Sequence, residues 1–118
     1  MSSMQRPGAA PIREWKWSPA EKAAARRAFD AALSRELEAV VREAKNRAAR
    51  IGEASELWEL ERWLADRRRE IDRTFDFRYS VLPLVFANLL REGLLAEEDL
   101  DGLAPDKRDA IRLMARSI

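Results

Sequence analysis

The 118 residues amount to one domain's worth of chain, and an apolar fraction of 47% is enough for a real core. Lys and Arg (22) nearly cancel Asp and Glu (21), so there is no large net field to draw nucleic acid or an anionic membrane, and any charge effect must be local. The chain has no Cys and no His, which excludes disulfides, thiolate chemistry, Cys/His zinc sites and the usual neutral-pH proton shuttle.

Residues 1–16 include Pro7, Gly8 and Pro11 and show no periodicity, which predicts a mobile N-terminal tail. They also lack the apolar run of a secretory signal, so the chain reads as cytoplasmic. Ser18-Pro19-Ala20-Glu21 is a capping box with Pro at the first helical position, and it predicts a helix start. Phe29, Leu33, Leu37, Val40, Ala44 and Ile51 then form one apolar stripe on a long, Ala- and Arg-rich helix.

Gly52 marks a break, and Ser55 is positioned to cap a second helix, on which Leu57, Leu60, Leu64, Ile71 and Phe75 form another stripe. Trp58 and Trp63 lie beside that stripe and widen it beyond what one neighbour covers. Self-association accounts for the excess, and so would packing of the Trp residues on a third helical segment of the same chain.

Residues 81–90 are polar only at Asn88, too short a run to span a bilayer. Pro83 fits the first turn of a helix if Ser80 is the N-cap, which predicts a helix over about 81–92, stopped at Gly93. Beyond it the chain reads as two short helices around Gly102 and Pro105. Leu100, Leu103, Ile111, Met114 and Ile118 are available to cover the preceding apolar helix. The fold class expected is all-α: a long two-helix dimerisation stalk over 17–75 followed by a compact head of shorter helices over 76–118.

Nothing in the pattern specifies a reaction. The carboxylate pairs Glu36/Glu38, Glu59/Glu61 and Glu97/Glu98 lie on segments rich in solvated charge, Ser80 has no His to activate it, and no Gly-rich loop precedes a helix as a phosphate cradle requires. No catalytic residue, cofactor or metal is expected. The cluster Arg67, Arg68, Arg69 and Arg73 suggests nucleic acid at first sight. Between Leu57 and Arg73, however, five Arg are matched by Glu59, Glu61, Asp66, Glu70 and Asp72, so phosphate would meet as much repulsion as attraction. Trp and Arg together suit protein recognition better, because these residue types most often dominate interface energetics. A buried Arg needs a carboxylate or carbonyl partner, and Arg68 and Arg78 are the candidates.

The residues Leu57-Trp58, Leu60, Arg67-Arg68, Ile71-Asp72, the string Asp76-Phe77-Arg78-Tyr79-Ser80-Val81-Leu82, and then Val85-Phe86-Ala87, Gly93-Leu94-Leu95 and Gly102-Leu103 form a specific set. From Trp17-Ser18 to the C-terminus the chain resembles the fluorescence recovery protein family. The resemblance implies an all-α homodimer without cofactor or covalent chemistry. It also implies a partner, the orange carotenoid protein, engaged mainly through its C-terminal domain and returned from its red to its orange form, which ends phycobilisome quenching. Trp58 and Arg68 fall on the family's interface positions, and Leu57, Leu60, Trp63, Leu64 and Ile71 complete the expected dimer surface. Partner contact is expected at Glu61, Arg62, Phe75, Phe77, Arg78, Tyr79 and Leu84. The pattern departs at four places: Glu61 and Arg62 stand where the family has His and Asp, Pro83 replaces an apolar residue, and Leu84 stands at an aromatic position. These departures keep open a second reading, a scaffold of the same fold with a different protein partner.

Overall fold

The computed structural model describes residues 10–118, and its regular structure is all helical. Four α-helices follow in order, α1 Pro19–Ala49, α2 Ala54–Thr74, α3 Leu82–Arg91 and α4 Pro105–Ser117, with 3-10 turns at Ile12–Glu14 and Glu97–Leu100. The molecule is elongated, 69 × 24 × 21 Å. A helix of 31 residues is ~46 Å long, so α1 sets most of that length.

Helix α1 starts as its capping box predicts. The Glu21 amide donates to Ser18 Oγ at 3.1 Å, the Ser18 amide donates to Glu21 Oε1 at 3.0 Å, and Pro19 occupies a first-turn position. Helix α2 differs from expectation by one turn feature: Glu53, not Ser55, is its N-cap. The Glu56 carboxylate accepts from the amides of both Gly52 and Glu53 at 2.9 Å, which fixes the helix entrance from within the first turn, and Ser55 lies inside the helix.

Helix α3 is capped at Val81, not Ser80. The amides of Val81 and Leu82 donate to the Arg78 carbonyl at 3.0 and 2.9 Å, so backbone alone forms the entry turn and Ser80 stays exposed. Pro83 then sits in the first turn, where a missing N–H costs nothing. The helix stops at Gly93, whose φ of +78° is the left-handed conformation a residue with Cβ resists. The Leu94 amide reaches the Leu89 carbonyl at 2.9 Å and the Gly93 amide reaches Leu90 at 3.1 Å, closing a Schellman turn.

Two expected boundaries are corrected. Residues 1–9 of the expected tail lie outside the described residues, but from Ala10 the chain is packed: Trp15 is 8% exposed and its indole N–H donates to the Ala10 carbonyl at 3.0 Å. Nor is the head confined to 76–118. The first half of α1 supplies Ala24, Ala25, Ala28, Phe29 and Ala32 to the same core as Leu82, Val85, Phe86, Leu89, Leu95, Leu100, Leu103 and Ile111. The small alanine face lets the other elements come close. A Cβ at Gly102 would lie 2.4 Å from Ala24 Cβ, so only Gly permits that approach. Burying each of Phe86, Leu82, Leu89 and Ile111 completely is worth about 1.5–3 kcal/mol. Ile118, expected to help cover α3, is exposed.

A single carboxylate ties this head together. Besides its capping bond, Glu21 accepts from the Ala104 amide at the start of α4 (2.9 Å) and from Lys107 Nζ at 2.9 and 3.0 Å, with both side chains buried. Burial alone would raise its pKa, but the amides of Ser18 and Ala104 and the Lys107 ammonium together outweigh it and lower it to about 2. A second tie crosses the other side: Arg35 donates to the Leu94 carbonyl at 2.7 Å and to Asp99 at 2.9 Å, fixing the 3-10 turn to α1.

Because the Glu21 carboxyl titrates lower in the folded than in the unfolded chain, its contribution is complete above its ordinary pKa of 4.5 and is lost as pH falls toward 2. Lys107→Met, which leaves the carboxylate buried without its cation, is expected to destabilise by about 3 kcal/mol at neutral pH. Thermal denaturation from pH 7 to pH 2.5 checks both statements: the variant should melt lower at pH 7, and its deficit should shrink as Glu21 protonates.

Candidate protein interface

Helix α2 and the second half of α1 make the stalk, and their chemistry differs from that of the head. Within the described residues α2 has no fully buried side chain, although it carries two Trp, three Leu and an Ile. On one side it rests on α1. Trp63 lies under the Arg47 guanidinium, 4.5 Å from ring centre, and Leu60 meets Ile51, Glu43 and Arg47 across a shallow cleft. Arg67, Ile71 and Thr74 face Glu36 of α1 where the hairpin joins the head.

The other side is uncovered. Leu57, Glu61, Leu64 and Arg68 fall at steps of four, three and four, which places them on one stripe of the helix, and all four are exposed. Trp58, beside this stripe, is 57% exposed. Helix α1 adds Leu33, Leu37 and Val41 at four-residue steps, lining an open groove in which Leu37 and Val41 are exposed. Large apolar side chains left in water in such number mark an interaction surface rather than a finished one. Val41 was not singled out in the sequence because it lies just off the stripe that runs through Val40. The four-residue step from Leu33 through Leu37 was the signal available.

The expected dimer residues are therefore split by the hairpin. Leu60, Trp63 and Ile71 are partly covered within the chain, and Leu57, Trp58, Leu64 and Arg68 are open. Arg68 forms no ion pair among the described residues, nor do Glu61 and Arg62. Their neighbours are paired along the helix, Arg67 with Glu70 and Arg69 with Asp66. Arg78, the second Arg expected to need a partner, has one: it is bound to Asp76 through Nε at 3.0 Å and Nη2 at 2.6 Å. That guanidinium holds the Asp76 carboxyl below the usual carboxylate range. The pair is solvent-exposed on its Arg side.

Of the residues expected to touch a partner, Phe75, Phe77 and Tyr79 are engaged inside the chain. They belong to a continuous run of aromatic contacts: Trp15 to Trp17 at 6.2 Å, Trp17 to Tyr79 at 5.3 Å, Tyr79 to Phe77 at 5.4 Å, and Phe29 to Phe77 and Phe75 at 5.0 and 5.5 Å. All five contacts are tilted or edge-on, as aromatic quadrupoles prefer. Arg26 lies 4.5 Å over Phe77 and Lys22 5.5 Å over Tyr79. The segment between α2 and α3 is thus laid along the start of α1, and its aromatic faces are spent on the fold. Leu84 remains exposed on α3, above a cleft shared with Arg73, Asn88 and Arg91.

Among the described residues no cluster of three or more acidic side chains is placed to hold a metal ion, and no helix is long and apolar enough to cross a membrane.

The model of a family described as the photoprotection regulator fluorescence recovery protein matches residues 17–115. Fluorescence recovery protein of Synechocystis sp. is 41% identical over 103 residues, covering 87% of this chain and 94% of its own length. The solved structures of the Fremyella diplosiphon and Synechocystis fluorescence recovery proteins each superpose with a TM-score of 0.81, at 38% and 40% identity. Each comparison covers 86% of this chain and 99% of the other.

The two groups of expected site residues should separate in a stability measurement. Phe77→Ala removes the ring in contact with Phe29, Tyr79 and Arg26 and is expected to cost about 2–3 kcal/mol. Arg62→Ala, at an exposed and unpaired position, should change stability by less than about 0.5 kcal/mol. Urea unfolding followed by circular dichroism compares them, and equal stabilities would contradict the assignment of Phe77 to the fold.

Proposed function

The chain belongs to the fluorescence recovery protein family, a family of non-enzymatic photoprotection regulators, and from that premise we propose that it is a homodimer that binds the orange carotenoid protein. By engaging that protein's C-terminal domain it favours the orange over the red form and so ends phycobilisome quenching. A regulator of this type works by binding one conformational state more tightly than the other, and the shift it produces equals that difference in affinity. No residue has to react.

The observation that carries this reading is the match over residues 17–115, which spans the stalk and the head together. The uncovered side of α2, with Leu57, Trp58, Leu64 and Arg68, supplies the self-pairing surface. The exposed Leu84 and Arg78 of the head, with Arg62 on the stalk, supply partner contact. Recovery of photoactivated orange carotenoid protein, followed in the dark by its red-to-orange absorbance change, tests the function. The purified chain should accelerate recovery and co-elute with the carotenoid protein, and failure of both would overturn the reading.

Glu61 and Arg62 favour a second reading. Both are exposed and unpaired where the family pattern implied by the resemblance has His and Asp, so a charge presented to a partner is reversed at the second position. Under this reading the chain is a scaffold of the same fold for a different protein. Restoring His and Asp together separates the two: carotenoid-protein binding gained only by the double variant supports a changed partner, and equal binding by both chains supports the first reading.

For the dimer itself, Trp58→Ala removes a large exposed anchor and is expected to weaken association by about 2 kcal/mol, roughly thirtyfold in dissociation constant. Light scattering over a dilution series reads the change.

A further inference from the structure

Helices α3 and α4 pack chiefly on one another and rest as one piece on the alanine face of α1. The Glu21 carboxylate and the approach of Gly102 to Ala24 fasten that piece near the start of α1. Arg35 fastens it again about four turns, ~21 Å, further along the helix, where the stalk begins. Its guanidinium donates through Nη1 to the Leu94 carbonyl at 2.7 Å and to Asp99 Oδ2 at 2.9 Å, and through Nη2 to Asp99 Oδ1 at 3.4 Å. Leu94 is the residue whose amide closes the Schellman turn at the end of α3. One α1 side chain therefore holds both the far end of α3 and the 3-10 turn that follows it. Arg35 and the Ala96 amide together keep the Asp99 carboxyl below the usual carboxylate range.

The joint beside this tie is not packed solid. An open cleft separates the hairpin from the head, with Glu36, Arg67, Glu70, Ile71 and Thr74 on the stalk side and Glu92 and Leu94 on the head side. Arg67 is taken by Glu70 within α2, and among the described residues no ion pair joins α2 to α3 or to the 3-10 turn. At this end of the head the polar hold on the stalk is Arg35.

We propose that Arg35 is a positioning residue for partner binding: it holds α3, and with it Leu84, at a fixed angle to the stalk that carries Arg62. The inference rests on the function proposed above, in which one partner meets Leu84 and Arg78 of the head and Arg62 of the stalk. Such a partner needs the two surfaces in constant relation. Each molecule whose head has swung out of place is lost to binding, so apparent affinity falls with the fraction correctly held. Arg suits the task because its planar fork meets a carboxylate and a carbonyl at once, where Lys brings a single point charge. The Arg35 side chain is half exposed, and an ion pair of that kind adds little to global stability. Its effect falls on orientation.

Titration of photoactivated orange carotenoid protein with the native chain, Arg35→Met, Arg35→Lys and Arg112→Met tests the role, with circular dichroism to check the helices. Arg112 is the control, because its ion pairs with Glu97 and Asp109 join parts of the head to one another and leave α1 out. Arg35→Met should raise the half-saturating concentration for recovery about five- to tenfold with the maximal rate unchanged, Arg35→Lys should fall between, and Arg112→Met should stay within about twofold of the native chain. Native half-saturation in Arg35→Met, an equal loss in Arg112→Met, a lowered maximal rate alone, or loss of helix in both Arg35 variants overturns the positioning role. Amide hydrogen exchange needs no partner and separates this inference from the functional reading. If the native chain gives no recovery at all, the functional reading falls. The hold of Arg35 on the head is then upheld by exchange at Asp99 and Asp101 about tenfold faster in Arg35→Met, with Phe86 and Leu89 as in the native chain, and overturned by unchanged exchange at Asp99 and Asp101.

Discussion

The head depends on the Glu21 carboxylate. It closes the capping box of α1 through Ser18, accepts from the backbone at the start of α4 through Ala104, and neutralises Lys107 one turn into that helix. One side chain thereby fixes the first turn of the first helix and the first turn of the last. A buried charge pair is seldom a source of stability by itself, because the cost of taking both ions from water offsets most of their attraction. Its value here is positional. The chain ends of the head are brought into register, and the apolar surfaces of α3 and α4 then have a definite floor of alanines to pack on.

With the head core closed, most of the large apolar side chains left exposed are on the stalk, with Leu84, Leu113 and Ile118 the exceptions on the head. The contrast is one of burial: α3 has six buried residues in ten, and α2 has none in twenty-one among the described residues. A helix with two Trp and three Leu that buries none of them fully in its own chain leaves an apolar surface of the kind that marks an interaction site. The aromatic segment between α2 and α3 has the opposite character. Its rings, which as a sequence suggest an exposed recognition motif, are consumed in edge contacts with Phe29 and Trp17.

How much of this could be read from the chain follows from how local each cause is. The capping box at Ser18, the stop at Gly93 and the placement of Pro83 are short-range and are found as expected, as is the all-helical class, although the first of the two short helices expected after Gly93 is only the 3-10 turn Glu97–Leu100. The cap of α2 was missed because Glu56 reaches back three and four residues to do what Ser55 was expected to do. The extent of the head was missed for a different reason. Ala24, Ala28 and Ala32 carry little hydrophobic signal, and their meaning appears only when distant residues pack on them, as Gly102, some 80 residues away, does on Ala24. The role of Trp15 was hidden by the prolines before it, which read as a tail. On α2 the sequence marks a wide apolar surface but cannot divide it into the side that rests on α1 and the side that faces away.

Helix α1 is continuous from the alanine face in the head to the Leu33, Leu37 and Val41 groove of the stalk, with no proline or glycine between. The two surfaces are therefore held in fixed torsional phase, like two marks cut on one rod. An insertion or deletion of one residue between Ala32 and Leu37 would turn the stalk by about 100° relative to the head. Such a change would leave the helical content intact and still turn the head away from the side on which the stalk's uncovered groove lies. Substitutions on this helix are a local matter; its length is not.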